Sequence, residues 1–268
     1  MNQEQVHNSL VGFIDLLGFS ERVLAAASHD DPTHRELEQI EKEIQNLHEH
    51  FEHVPSNRPR PSHHQAMEKK VYAFSDCLLL SMSLDSGGAS DIGFVDSIMY
   101  EIQNIGISQA KSVIEDGIFI RGGIAQGLWY FDNDILISPA QVAAYKVEQS
   151  VSYPVIGIEN SLYESLVNHH DLQNYADPGE PLTNLRPLNF LPVTHKDGFH
   201  FIDYLNLFVQ LSNNVSDKED TLKKHRRQVL DAQKRAPNSR IAAKYEWLAQ
   251  YHDVVCESNR LDVKCGLQ

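Results

Sequence analysis

The chain has 268 residues, 41% of them hydrophobic, and a formal charge of −14 at pH 7. This apolar content excludes intrinsic disorder and fits one large domain, or a core with an appended piece. The negative charge disfavours a nucleic-acid partner, yet an acidic protein still takes up a nucleotide when a divalent cation screens the phosphates.

Residues 9–14 read as a buried strand that ends on Asp15. After Gly18-Phe19-Ser20 the pattern turns helical, with Val23 and Leu24 on one face. A second helix is expected from Thr33 to His53, with Leu37, Ile40, Ile44, Leu47 and Phe51 at helical spacing. Pro55 to Pro61 is a loop. Val71–Phe74 and Cys77–Met82 read as a hairpin closed tightly at Ser75-Asp76. Gly87 to Ser90 is expected as a loop before a helix over 91–112. Gly117–Ala125 is the next strand, Leu128–Ile137 a hairpin turning at Asp132-Asn133, Pro139–Gln149 a helix and Tyr153–Ile158 a strand. Asp197-Gly198 marks a turn between two short extended stretches, and residues 217–235 and 238–256 form two C-terminal helices. The order predicts an α+β fold with a ferredoxin-like βαββαβ core over residues 9–160, and a C-terminal helical extension over 161–268 packing on it.

The three cysteines, Cys77, Cys256 and Cys265, form no CxxC pair, which points to a reducing cytoplasm; Cys77 is expected as a small buried residue. Residues 1–9 lack a basic n-region, and no apolar run approaches the roughly 18 residues of a bilayer span, so cytoplasmic localisation without membrane insertion is expected. His48, His50 and His53 lie at i, i+2 and i+5, a spacing unsuited to zinc, and read as a solvated polar face. Lys223–Arg227 reads as a solvent-exposed basic run.

Asp15 ends a strand and Asp76 occupies a hairpin turn. In a split βαβ arrangement those two carboxylates converge at one sheet end, making a hard oxygen site suited to Mg²⁺ or Mn²⁺. Taken singly, each Asp also fits a helix cap or a turn.

Four stretches, in order, resemble motifs of the class III adenylate and guanylate cyclases. Phe13-Ile14-Asp15-Leu16-Leu17-Gly18-Phe19-Ser20 resembles the first metal motif, and Tyr72-Ala73-Phe74-Ser75-Asp76 the second. Arg121 to Gly127 resembles the strand motif of Arg, Gly and a β-branched residue. Ala144 to Glu148 lies where the family's helix carries a transition-state Asn and Arg, which fall here on Val142 and Lys146. Asp-Leu-Leu-Gly-Phe-Ser early and Pro-Ala-x-x-x-Ala-Tyr-x-x-Glu late look most like the pyrimidine nucleotide cyclases of bacterial Pycsar antiphage systems.

The resemblance implies a metal-dependent lyase that converts UTP, with CTP next, into the 3′,5′-cyclic monophosphate and pyrophosphate. It implies two divalent ions, Mg²⁺ or Mn²⁺, on Asp15, Asp76 and the Leu16 carbonyl. The implied roles are triphosphate binding for Gly18, Phe19 and Ser20, base selection for Tyr72, and charge stabilisation for Arg121 and Lys146. It further implies a homodimer with shared sites, and a product that acts in antiphage defence on a separate cyclic-nucleotide-binding effector. The alternatives are an inactive cyclase fold that senses nucleotide, favoured by the missing Asn and Arg, and a purine cyclase with an unusual base pocket.

Overall fold

A computed structural model describes residues 6–28, 35–52, 67–132, 135–170 and 191–266. In chain order the elements are β1 (Val6–Leu16), α1 (Phe19–Ser28), α2 (Arg35–Glu52), β2 (Lys70–Phe74), β3 (Cys77–Ser83), α3 (Gly87–Ile92), α4 (Phe94–Lys111), β4 (Ile120–Asp132), β5 (Ile135–Ile137), α5 (Pro139–Ser150), β6 (Ile156–Ile158), α6 (Asn160–Val167), β7 (Val193–Lys196), β8 (Phe199–Ile202), α7 (Tyr204–Gln210), α8 (Val215–Arg235) and α9 (Ser239–Ser258). Between α4 and β4 a π-helical turn spans Ser112–Asp116.

The described strands form one sheet in the order β2-β3-β1-β4-β6-β8-β7, with β5 paired to β4. β1 lies antiparallel between β3 and β4, and β2 is antiparallel to β3. That is the ferredoxin-like order expected from the sequence. β6 then adds parallel to β4 through the α5 crossover, and the β7–β8 hairpin, turning at Asp197 and Gly198, extends the sheet beyond residue 160.

Alternation along the strands separates two faces. Leu10, Ile14 and Leu16 of β1, Leu78, Leu80 and Met82 of β3, and Ile120 and Ile124 of β4 enter the main core with α2, α4 and the C-terminal helices. The intervening residues, Val11, Leu79 and Trp129 among them, form a smaller cluster on the opposite face, under the start of α5. α5 lies very close to the sheet: a Cβ on Gly123 would stand 2.2 Å from the Ala144 carbonyl oxygen, and one on Gly157 2.7–2.8 Å from Val151 and Val147. Only glycine allows that approach.

Several expectations are corrected. Gly87–Ile92 is a helix, not a loop, because the Ser86 hydroxyl caps it by accepting from the Ala89 N–H at 3.2 Å. The helix expected after Ser20 already begins at Phe19, so Ser20 is the second residue of α1. Cys77 is half-buried, since it is the first residue of β3. His48 and His50 are not on a solvated face: His48 Nε2 meets the Val71 carbonyl at 3.3 Å and His50 Nε2 pairs with Asp116 at 2.6 Å, fastening α2 to its neighbours. His53, the 55–61 loop and the Asp132-Asn133 turn beyond Asp132 lie outside the described residues.

His225, inside the basic run, is fully buried. Its Nδ1 faces His252 Nδ1 at 3.0 Å, and its Nε2 meets the Tyr204 hydroxyl at 2.8 Å. His252 Nε2 meets the Val263 carbonyl at 2.9 Å and must carry a proton to donate there. Burial disfavours a charge on either ring, so the His252 Nδ1 accepts from His225 Nδ1–H and His225 Nε2 accepts from the Tyr204 hydroxyl.

Candidate active site

The strand register sets the site. Phe74, Cys77, Asp15 and Arg121 pair in one lateral row across β2, β3, β1 and β4. Tyr72, Leu79, Phe13 and Gly123 form the next row, two residues or about 7 Å along the strands. Every side chain in these rows points to the α5 face of the sheet.

Asp76 arrives through the two-residue turn between β2 and β3, where Ser75 takes a left-handed backbone at φ 56°. The Asp76 carbonyl accepts from the Leu16 N–H at 2.9 Å, which ties that turn to the end of β1. As a result the Asp15 and Asp76 carboxylates and the Cys77 sulfur all lie within 4.8 Å of one another.

Desolvation is the main cause that pushes the Asp15 carboxyl up to about 6. Arg121 opposes that shift, whereas Glu148 and Asp76 add to it as like charges. Burial and the two aspartates push the Cys77 thiol up to about 12, so it stays protonated. The two hard carboxylates, beside a thiol that is neutral in the metal-free protein, suit Mg²⁺ or Mn²⁺. A cation there answers the mutual repulsion that the carboxylates otherwise carry.

Glu148 is the group that sequence reasoning left without a role. It sits on α5, 1% exposed, and forms an ion pair with the Arg121 guanidinium. Arg121 also reaches the Asp15 carboxylate at 3.5 Å and the Val151 carbonyl at 3.4 Å, while its buried Nε has no partner. Arg121 thus bridges two carboxylates. The signal in the sequence was the Gly-Gly pair: only a helix seated against Gly123 can bury a glutamate at this depth.

A cleft of about 1040 Å³ opens beside the aspartates. Asp15, Leu16, Gly18, Phe19, Ser20 and Asp76 line one side. Gly18 turns the chain at φ 80°, and α1 begins directly after it, so the first free N–H groups of the helix edge this cleft.

Two expected site residues lie apart. Tyr72 stacks among Phe74, Trp129 and Phe131, with centroids 4.9–6.4 Å away, one row from Asp15 and on the same face. Lys146 is exposed on α5 and lines a separate 740 Å³ cleft with Val142, Asn160 and His200. One chain alone does not bring Lys146 to the aspartates.

Among the described residues no helix is long and apolar enough to cross a membrane. No protein-family model matches the chain, and no curated protein matches it. Solved structures resemble it at low identity. The adenylyl cyclase CyaB from P. aeruginosa matches with 16% identity over 61% of this chain and 81% of that one, at a TM-score of 0.43. The catalytic core of a rhodopsin-guanylyl cyclase with converted specificity, in complex with ATPαS, matches with 14% identity over 74% and 96%, at 0.37. A bacterial light-regulated adenylyl cyclase matches with 13% identity over 76% and 95%, at 0.35. Likeness at this level leaves the functional reading to the residues of the cleft.

Proposed function

We propose that the protein is a nucleotidyl cyclase that converts a pyrimidine nucleoside triphosphate, UTP before CTP, into its 3′,5′-cyclic monophosphate. The observation that carries this reading is the convergence of Asp15 and Asp76 at the mouth of a cleft edged by the start of α1. In the reaction the ribose 3′ oxygen bonds to the α-phosphorus and its proton leaves. The bond from that phosphorus to the bridging oxygen breaks, and pyrophosphate departs with the electron pair.

Asp15 and Asp76 would hold the divalent ions, with the Leu16 carbonyl completing the set. Such ions supply charge neutralisation on the triphosphate and acidify the hydroxyl they contact. The N–H groups of Phe19 and Ser20 bind phosphate oxygens through the free helix end beside Gly18. Arg121, held between Asp15 and Glu148, sets the orientation of the Asp15 carboxylate and adds positive charge near the reacting phosphorus. Tyr72 supports the pyrimidine preference: its ring fills space that a purine's second ring needs, and its hydroxyl bonds a base edge.

A second copy of the chain would complete the site. Phe74, Val142 and Tyr145 are exposed apolar residues on or beside the face that carries Asp15, and Lys146 stands in the other cleft of the same chain. A partner laid head to tail across this face brings its own Lys146 toward the aspartates. The resemblance to Pycsar cyclases supports a role in antiphage signalling, with the product acting on a separate effector.

The test is incubation with Mn²⁺ and all four triphosphates, followed by chromatography of the products. A dominant cyclic UMP peak is expected. Dominant cyclic AMP or GMP would overturn the pyrimidine assignment, and nucleotide binding without any cyclic product would favour a sensor. Mixing inactive Asp15→Ala and Lys146→Ala chains should restore part of the turnover; no rescue under subunit exchange would refute shared sites.

A further inference from the structure

The cleft has a second wall, built by the C-terminal helices. Gln228, Ala232 and Arg235 of α8 and Ile241, Lys244 and Tyr245 of α9 line the same space as Asp15 and Asp76. α9 is fixed firmly. The Tyr245 ring meets Phe119 edge-on at 5.0 Å, and Trp247 stacks on Tyr153 at 4.3 Å with 7° between planes. The Tyr251 hydroxyl, one face of the helix further on, donates to Asp203 at 2.6 Å and accepts from the Leu205 N–H at 3.1 Å.

Lys244 is half-buried on this rigid helix. Two of the cations near it are already paired with carboxylates. Arg22 is paired with Glu43, and Arg121 with Glu148 and Asp15. Lys244 forms no ion pair among the described residues, although Glu21, Glu36, Asp76 and Asp116 line the same cleft. Burial lowers its pKa, the like charges of Arg121 and Arg240 lower it further, and the carboxylates of Asp15 and Glu148 oppose that shift only in part. A desolvated ammonium crowded by two guanidinium groups is stabilised by an anion entering the cleft, and a loss of hydration is already met by the fold.

We infer that Lys244 binds the triphosphate of the substrate, and the departing pyrophosphate, from within the same chain. This inference rests on the nucleotide reading of the cleft. It assigns the C-terminal extension a direct part in the site: α1 N–H groups hold the phosphates from one wall and the Lys244 ammonium from the other. A flexible four-carbon stem with three donors suits a group that must follow charge as pyrophosphate moves away.

The test uses the full chain with Mn²⁺ and inorganic pyrophosphate, read by calorimetry, beside initial-rate kinetics. Lys244→Met keeps the aliphatic stem and Lys244→Gln keeps a polar end, so a folding defect in one is separated from loss of charge by the other; both should melt no lower than the parent, since each removes a desolvated charge. Pyrophosphate affinity should fall roughly 10–100-fold in both, the loss expected for a hydrogen bond to a charged group. KM for the triphosphate should rise in step, and Lys244→Arg should retain most of the affinity. Pyrophosphate binding that depends on Lys244, in a parent protein that makes no cyclic product, would sustain the lysine and sink the cyclase reading. Equal binding by the parent and both neutral variants overturns the lysine whatever the turnover, and a parent protein that binds no pyrophosphate overturns both.

Discussion

Gly123→Ala should be among the most damaging single-methyl additions in this protein. The new Cβ would stand 2.2 Å from the Ala144 oxygen, 2.7 Å from Val147 Cβ and 2.8 Å from the Glu148 nitrogen. Two of these three atoms belong to backbone and cannot rotate away, so α5 must retreat by about 1 Å to restore ordinary contact. Overpacking of this kind costs typically 1–3 kcal/mol, and a clash with helix backbone belongs at about 3 kcal/mol. For a chain of this size that corresponds to a fall of about 1 M in the urea midpoint. The same retreat draws Glu148 off Arg121, so turnover should fall together with stability. Gly18→Ala provides the comparison: its Cβ meets nothing within 4 Å, and only the left-handed backbone resists it, at about 1 kcal/mol. If Gly123→Ala loses less than about 0.5 kcal/mol, the ordinary range for surface changes, the close seating of α5 is wrong, and with it the depth assigned to Glu148.

Asp15→Asn and Asp76→Asn should each abolish turnover and Mn²⁺ binding by calorimetry. The metal-free Asp15→Asn protein should melt higher at pH 7, because a carboxyl held at about 6 disfavours its ionised form in the fold; that gain should vanish below the ordinary value of 3.8, where the carboxyl is neutral in both states. Glu148→Gln should cost about 1–3 kcal/mol by urea denaturation, since the Arg121 charge loses its buried counter-ion but keeps a hydrogen-bonding neighbour; an unchanged midpoint would refute the pairing. Burial, with the neighbouring His252, lowers the His225 pKa well below 6.5, so the unfolded chain takes up the proton first. The stability this neutral ring contributes is complete above 6.5 and is lost as pH falls below it, at no more than about 1.4 kcal/mol per pH unit. Denaturation midpoints measured from pH 7 to 5 should fall more steeply for the parent than for His225→Gln.

Much of the core was legible because single segments carried their own signals. The apolar runs at 9–14 and 77–82, the Ser75-Asp76 turn and the helix start at Pro139 each satisfy a local rule, and the strand order follows from their sequence. The two aspartates were legible for the same reason, each sitting where a strand stops. The remainder depended on partners distant in sequence. β1 begins at Val6 rather than Ser9 because Val6, His7 and Asn8 pair with Leu128–Tyr130, which no periodicity in Val-His-Asn announces. β4 runs unbroken to Asp132 for the same reason. Glu148 reads as a surface acid on a polar helix, and becomes buried only because Gly123 lets α5 settle. Lys244 belongs to a helix that reads as mere packing, and it reaches the cleft only through the seat of Tyr245 on Phe119.

The alternation of β1 also shapes how the protein can vary. Leu10 and Ile14 are surrounded by the main core, whereas Asp15 and its row neighbours on β3 and β4 face the other way. Substitutions at the first set act on how much folded protein exists, and those at the second act on what each folded molecule does. A library covering these strands, sorted separately for abundance and for product, should therefore split into two classes with a period of two residues. A lineage could reshape the chemistry of the outer row, one base or one phosphate contact at a time, while the inner row kept the fold intact.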